Sequence, residues 1–121
     1  MLSKSVIHFK KLVFLSLLLL YLLILAGSVV RSTGSGMGCP DWPKCFGQWL
    51  PPYDVSQLPL DYKEKFKVGM HHIADFNVFK TWIEYVNRLL CVLVGLSVFV
   101  NFVYSFRFFY NKPPFFLFSL L

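Results

Sequence analysis

Acidic residues are scarce in this chain and missing from most of it. There are 6 Asp and Glu against 12 Lys and Arg in 121 residues, and none of the six stands before Asp41 or after Glu84. Charge of either sign is absent from Leu12–Val30 and from Leu89–Phe106. Two such runs do not suit a water-exposed surface, and a composition 56% hydrophobic and 19% aromatic lies outside the usual soluble mix. A basic stripe is also lacking. Lys and Arg stand at the ends of the apolar runs, where membrane proteins use them, so the net charge of +6 does not signal nucleic acid. No C-x-x-C motif occurs, and the two loop thiols, Cys39 and Cys45, lack the other two ligands a zinc site needs.

What is present reads as an all-α membrane protein. The run Leu12–Val30 has 19 residues, or about 28 Å as a helix, close to the hydrocarbon thickness. A signal peptide is the rival reading, with Ala26-Gly27-Ser28 imitating a cleavage site. The sequence divides into a basic flank over 1–11, a transmembrane helix over 12–30, a long loop over 31–75, a second helix over 76–107, a turn over 108–114, and the start of a third helix over 115–121. The first flank holds Lys4, Lys10 and Lys11, to which His8 adds, and the segment after the second helix holds Arg107 and Lys112. The positive-inside rule therefore places both flanks in the cytoplasm and the loop outside, in a multi-pass protein of the inner cell membrane.

The loop is rich in turn formers. Gly34, Gly36 and Gly38 exclude regular structure at its start, and Pro40, Pro43, Pro51, Pro52 and Pro59 keep the rest extended or turned. Trp42, Trp49 and Tyr53 suit the headgroup level of a bilayer, so the loop reads as a compact cap on the membrane surface; a solvated linker is the alternative. Cys39 and Cys45 can pair if the loop faces an oxidising compartment, or remain free thiols. Cys91 reads as a small buried apolar residue. His71 and His72 are adjacent, which a regular helix cannot aim at one metal, and they read as solvated. Asp75 or Asn77 can cap the second helix.

At about 100° per residue, Lys80, Thr81, Glu84, Asn87, Arg88, Cys91 and Gly95 share one side of that helix, and Trp82 and Leu93 the other. An ionisable pair entering a membrane helix is costly and marks a candidate site. Glu84 and Arg88 are placed to form an i,i+4 ion pair. Glu84 otherwise only marks the helix entry and reaches to water.

Three stretches carry a resemblance: Leu25-Ala-Gly-Ser-Val-Val-Arg-Ser-Thr-Gly-Ser-Gly-Met-Gly-Cys-Pro-Asp-Trp-Pro-Lys-Cys45 with Gly47-Gln48, the Pro51-Pro52 pair, and Thr81-Trp-Ile-Glu-Tyr-Val-Asn-Arg88. They resemble the heme A synthase family. The resemblance implies an eight-helix bundle of two similar four-helix halves, of which this chain corresponds to helices one and two and the start of helix three. It implies oxidation of the C8 methyl of heme O to the formyl of heme A for terminal oxidases, with a b-type heme in the other half. It implies a farnesyltransferase that supplies heme O, an electron acceptor and the lipid bilayer as partners; a homo-oligomer is a separate expectation, which the resemblance leaves open.

By the family's second-helix motif, Glu-x-x-His-Arg, Glu84 takes the catalytic carboxylate's place and Arg88 that of the arginine. Asn87 stands at the histidine position. An amide is a poor iron ligand beside imidazole, so no metal ligand is carried over. Asn87 is expected to hydrogen-bond to bound water or the porphyrin edge, unless another residue supplies the ligand. Arg31 and Arg88 are expected to pair with heme propionates, and Cys39 and Cys45 match the family's external cysteine pair. A carboxylate at Glu84 can stabilise positive charge developing beside the porphyrin, or take a proton. The competing readings are a non-catalytic two-helix membrane subunit or assembly factor, and an inactive truncated product. Two helices alone cannot enclose a heme.

Overall fold

The computed structural model describes residues 4–67 and 75–109. Four helical elements occur among them: α1 (Lys4–Ser32), a single 3-10 turn (Val55–Gln57), α2 (Tyr62–Lys65) and α3 (Val78–Phe109). No strand occurs among the described residues, the only pairing of that kind being a bridge between Cys45 and Gln48. His71, His72, residues 110–114 of the expected turn and the expected third helix over 115–121 lie outside the described residues.

Both α1 and α3 are long and apolar enough to cross a membrane, with mean hydropathy of 2.7 and 2.2 over their best 18-residue windows. The helix α1 runs 8 residues further toward the N-terminus than the uncharged run begins, from Lys4 rather than Leu12. Nothing in Lys4–Lys11 breaks a helix, and hydropathy registers only the uncharged part. At its other end α1 carries Arg31 in the last turn, where a cation suits the partial negative charge of the terminal carbonyls.

Contacts divide the chain into two compact units, residues 1–21 with 92–121, and residues 22–91. In the first, antiparallel stretches of α1 and α3 are joined by polar contacts. The Asn101 amide donates to Ser16 Oγ and to the Ser97 carbonyl at 3.0 Å. The Tyr104 hydroxyl donates to the Ser5 carbonyl at 3.1 Å, and its ring stacks on Phe9 at 5.8 Å. Between helices in lipid, where apolar burial gives no net drive, such hydrogen bonds are a main source of cohesion. Among the described residues, Val6 and Val94 are the buried apolar side chains here.

In the second unit the loop folds over the start of α3 as a cap with a small core. Cys39, Cys45, Phe46 and Leu58 are buried, and Tyr62, Phe66, Phe76 and Tyr85 pack around them. Phe46 meets Tyr62, Phe66 and Phe76 edge-on, at centroid distances of 6.2, 5.6 and 5.6 Å, an arrangement the ring quadrupole favours. Its backbone is left-handed, φ 53°, followed by Gly47 at 76°. Asp41 holds this turn by accepting the Phe46 and Gly47 N–H groups at 2.6 and 2.8 Å. The strained conformation of a bulky residue is thus stabilised by two hydrogen bonds to a carboxylate and three ring contacts. Asp54 caps the 3-10 turn through the Val55 N–H.

Candidate functional site

The start of α3 is fixed by Asn77, whose side-chain oxygen accepts the Lys80 N–H at 3.1 Å in the usual N-cap geometry. Asp75, the other expected cap, instead pairs with Lys63. Each draws the other's titration outward: the hydrogen bond, then the charge, of Lys63 holds the Asp75 carboxyl below its ordinary value, and the same contacts raise Lys63.

From this start, one face of α3 presents Thr81, Glu84 and Arg88 to residues 38–44 of the cap. The Thr81 hydroxyl donates to the Gly38 carbonyl at 2.9 Å. Glu84 Oε2 accepts the Cys39 N–H at 2.9 Å, and Oε1 accepts Arg88 Nε at 3.1 Å and Arg88 Nη2. Arg88 Nη1 also donates to the Asp41 and Lys44 carbonyls, and Nη2 to the Cys39 carbonyl. A guanidinium has five N–H donors, and here all five are engaged. Cys39 and Cys45, which bracket this chelated backbone, are disulfide-bonded. The Cys39 sulfur carries no proton and rests 3.7 Å from the Thr81 carbonyl oxygen as a simple contact.

Gly38 permits the close approach. A Cβ there would lie 2.7 Å from the Lys80 carbonyl oxygen and 2.9 Å from Thr81 Cα. Glu84 is 7% exposed, so the carboxylate is withdrawn from water and compensated by three donors. A carboxylate offers about four lone-pair positions, and one on Oε2 remains open.

Of the residues singled out from sequence, Glu84, Arg88, Cys39 and Cys45 come together. Asn87 lies on the neighbouring face of α3. Its Oδ1 is buried without a hydrogen-bond partner among the described residues, 3.9 Å from where a Cβ on Gly27 of α1 would stand. Arg31 is exposed, with no ion pair among the described residues. Cys91 corrects an expectation: it is exposed, not buried. The cap reaches only as far as Arg88, and the next turn of α3 is left open. Gly95 is open too, since a Cβ added there would meet nothing within 4 Å.

Sequence reasoning missed Gly38, Asp41 and Tyr85 as site-building residues. Tyr85 donates its hydroxyl to the Trp49 carbonyl at 2.7 Å and so ties the far side of the cap to α3. Tyr85 sits inside the Thr81–Arg88 stretch and Asp41 in the Pro-Asp-Trp-Pro turn, so the unusual residue runs held the only signal.

A sequence profile described as cytochrome oxidase assembly protein matches residues 10–121. The chain belongs to that family. Similar proteins include the heme A synthases of Geobacillus kaustophilus (39% identical over 56 residues, 46% of this chain and 17% of that protein), Shewanella oneidensis (30% over 84 residues, 69% and 24%) and Nitrosomonas eutropha (35% over 94 residues, 71% and 26%). The chain thus spans about a quarter or less of the length of these relatives. No solved structure matches. Family membership and the two apolar helices together make this a membrane protein.

Proposed function

We propose that residues 1–121 are the N-terminal portion of a heme A synthase, which oxidises the C8 methyl of heme O to the formyl of heme A. The observation that carries this reading is the state of Glu84. It is a buried carboxylate, fixed by three donors and retaining one open acceptor position on Oε2. A preorganised anion of this kind stabilises positive charge that develops beside it, and it costs no reorganisation when the charge appears. Glu84 is the catalytic residue in this reading. Arg88 serves by holding the cap and the carboxylate, since its donors are already engaged. Arg31, exposed at the end of α1, is free to meet a propionate. Asn87 offers an unpaired amide oxygen, which suits a hydrogen bond to bound water or the porphyrin edge; it does not suit iron.

The loop faces the outside in this reading, and both flanks the cytoplasm. The disulfide supports it, because such bonds persist in oxidising compartments, and so do Lys4, Lys10, Lys11 and Arg107 at the opposite helix ends. The rest of an eight-helix bundle, a b-type heme in its other half, a farnesyltransferase supplying heme O, an electron acceptor and a homo-oligomer complete the proposal.

The test is Glu84→Gln in the full-length protein, followed by heme extraction from membranes. Heme O or a hydroxylated intermediate accumulates if the charge is used in chemistry. A second reading has Glu84 and Arg88 serving the cap alone, in a non-catalytic subunit, and the complete use of Arg88 by three cap carbonyls and Glu84 favours it. On that reading Glu84→Gln lowers stability while heme A stays at its normal level.

A further inference from the structure

Residues 49–53 form a bracket against α3 that neither the proposed chemistry nor the cap core uses. Pro51 and Pro52 are fully buried. The flanking side chains turn outward: Trp49 is 67% exposed, Leu50 61% and Tyr53 62%. The bracket is tied to α3 at both ends. The Trp49 carbonyl accepts the Tyr85 hydroxyl, and the Tyr53 ring lies 4.9 Å from the ring of Trp82. Two prolines fix φ and leave the segment little freedom to fold its apolar side chains inward. A monomeric soluble surface seldom holds three large apolar side chains outward on a rigid support.

The register of α3 gives the depth of this bracket. The uncharged run Leu89–Phe106 has 18 residues, about 27 Å of helix, which nearly fills a hydrocarbon core of ~30 Å. Tyr85 and Trp82 precede Leu89 by four and seven residues, or about 6 and 10 Å along the axis. The headgroup layer adds roughly 5–8 Å on each side of the core. The Trp49 end of the bracket, fastened at Tyr85, therefore lies at the headgroup level, and the Tyr53 end, beside Trp82, lies just outside it. Trp and Tyr are favoured at that level because the ring is apolar and one atom is polar. The Lys44 ammonium, 5.5 Å over the Trp49 ring, adds a cation at the same place.

We infer that Trp49 and Leu50, with Tyr53 at their outer edge, are an interfacial anchor that inserts into the headgroup layer of the bilayer and seats the cap at a fixed depth. The inference rests on α1 and α3 crossing a membrane and is independent of any heme chemistry. The test uses the full-length protein in liposomes with Cys91→Ser, carrying a nitroxide at Leu50→Cys or, for comparison, at Ser56→Cys on the exposed 3-10 turn. Molecular oxygen is expected to relax the label at position 50 more than a water-soluble nickel chelate does, and the order reverses at position 56. Chelate dominance at position 50, or exclusion of both agents by covering protein, overturns the anchor. Trp49→Phe reads the same point without an added thiol: quenching of fluorescence by lipids brominated on the upper acyl chain falls in the variant, and unchanged quenching overturns the anchor.

Discussion

Glu84 and Cys39 are 45 positions apart in the chain, yet the carboxylate of one accepts the backbone N–H of the other at 2.9 Å. That bond joins a membrane helix to a disulfide-closed turn. Arg88 repeats the connection three times through the carbonyls of Cys39, Asp41 and Lys44. The acidic side chain is therefore part of the cap's attachment as well as a candidate for chemistry, and the two roles separate by substitution.

Glu84→Ala removes the acceptor of three hydrogen bonds and leaves the guanidinium, 20% exposed, without its counter-ion. Breaking one partner of a buried pair costs about 3–5 kcal/mol. Glu84→Gln keeps an oxygen that can accept the Cys39 N–H and costs less. Thermal unfolding of the purified full-length protein, or proteolysis of the cap, is expected to rank wild type above Gln and Gln above Ala. Equal stability of Ala and wild type would sink the pairing as a structural contact.

The Lys63–Asp75 pair gives a pH dependence that can be signed. The Asp75 carboxyl titrates below its ordinary 3.8 because Lys63 donates to it, so its contribution is present above that pH and fades as pH falls through the lowered value. Lys63 titrates above 10.5, so its contribution is full below that pH and is lost as pH rises through the raised value. The pair is thus constant across neutral pH and opens at the acid and alkaline extremes. Both side chains are largely exposed, and salt weakens the pair. Carboxyl-carbon NMR of Asp75 is expected to show a midpoint below 3.8 that moves toward 3.8 in Lys63→Met; no movement would refute the pairing.

The parts of this fold legible in sequence are those set by local periodicity. The uncharged runs announce α1 and α3, an i,i+4 spacing announces Glu84 with Arg88, and the start of α3 is announced only as Asp75 or Asn77, of which Asn77 is the cap. Spacing alone leaves the bond between Cys39 and Cys45 open, since two thiols six apart pair or stay free according to compartment. What stays hidden depends on backbone atoms. A guanidinium chelating three loop carbonyls leaves no trace in residue type, because every residue has a carbonyl. The inward aim of Arg88 follows from a turn held by Asp41 and a left-handed Phe46, and neither departs from ordinary composition. Cys91 departs from its expected burial because helical phase places it on the same side as Glu84 but does not say how far along that side the cap extends.

Gly38 offers the sharpest check on the cap's seating. The backbone on either side of it is bonded to α3: its own carbonyl accepts from Thr81, and the next N–H donates to Glu84. A methyl group at Gly38 would meet the Lys80 carbonyl oxygen at 2.7 Å and its carbon at 2.8 Å, and helix backbone cannot rotate aside as a side chain can. The cap must lift, and the Cys39–Glu84 bond lengthens with it. Overpacking of this kind costs about 1–3 kcal/mol. Gly36→Ala is the matched control, two residues away with nothing within 4 Å of the added carbon, and is expected to change stability by less than about 0.5 kcal/mol. Unfolding of the two variants side by side in the full-length protein decides the matter. If Gly38→Ala proves as mild as Gly36→Ala, the loop does not lie this close against α3, and the three-donor environment of Glu84 loses its support.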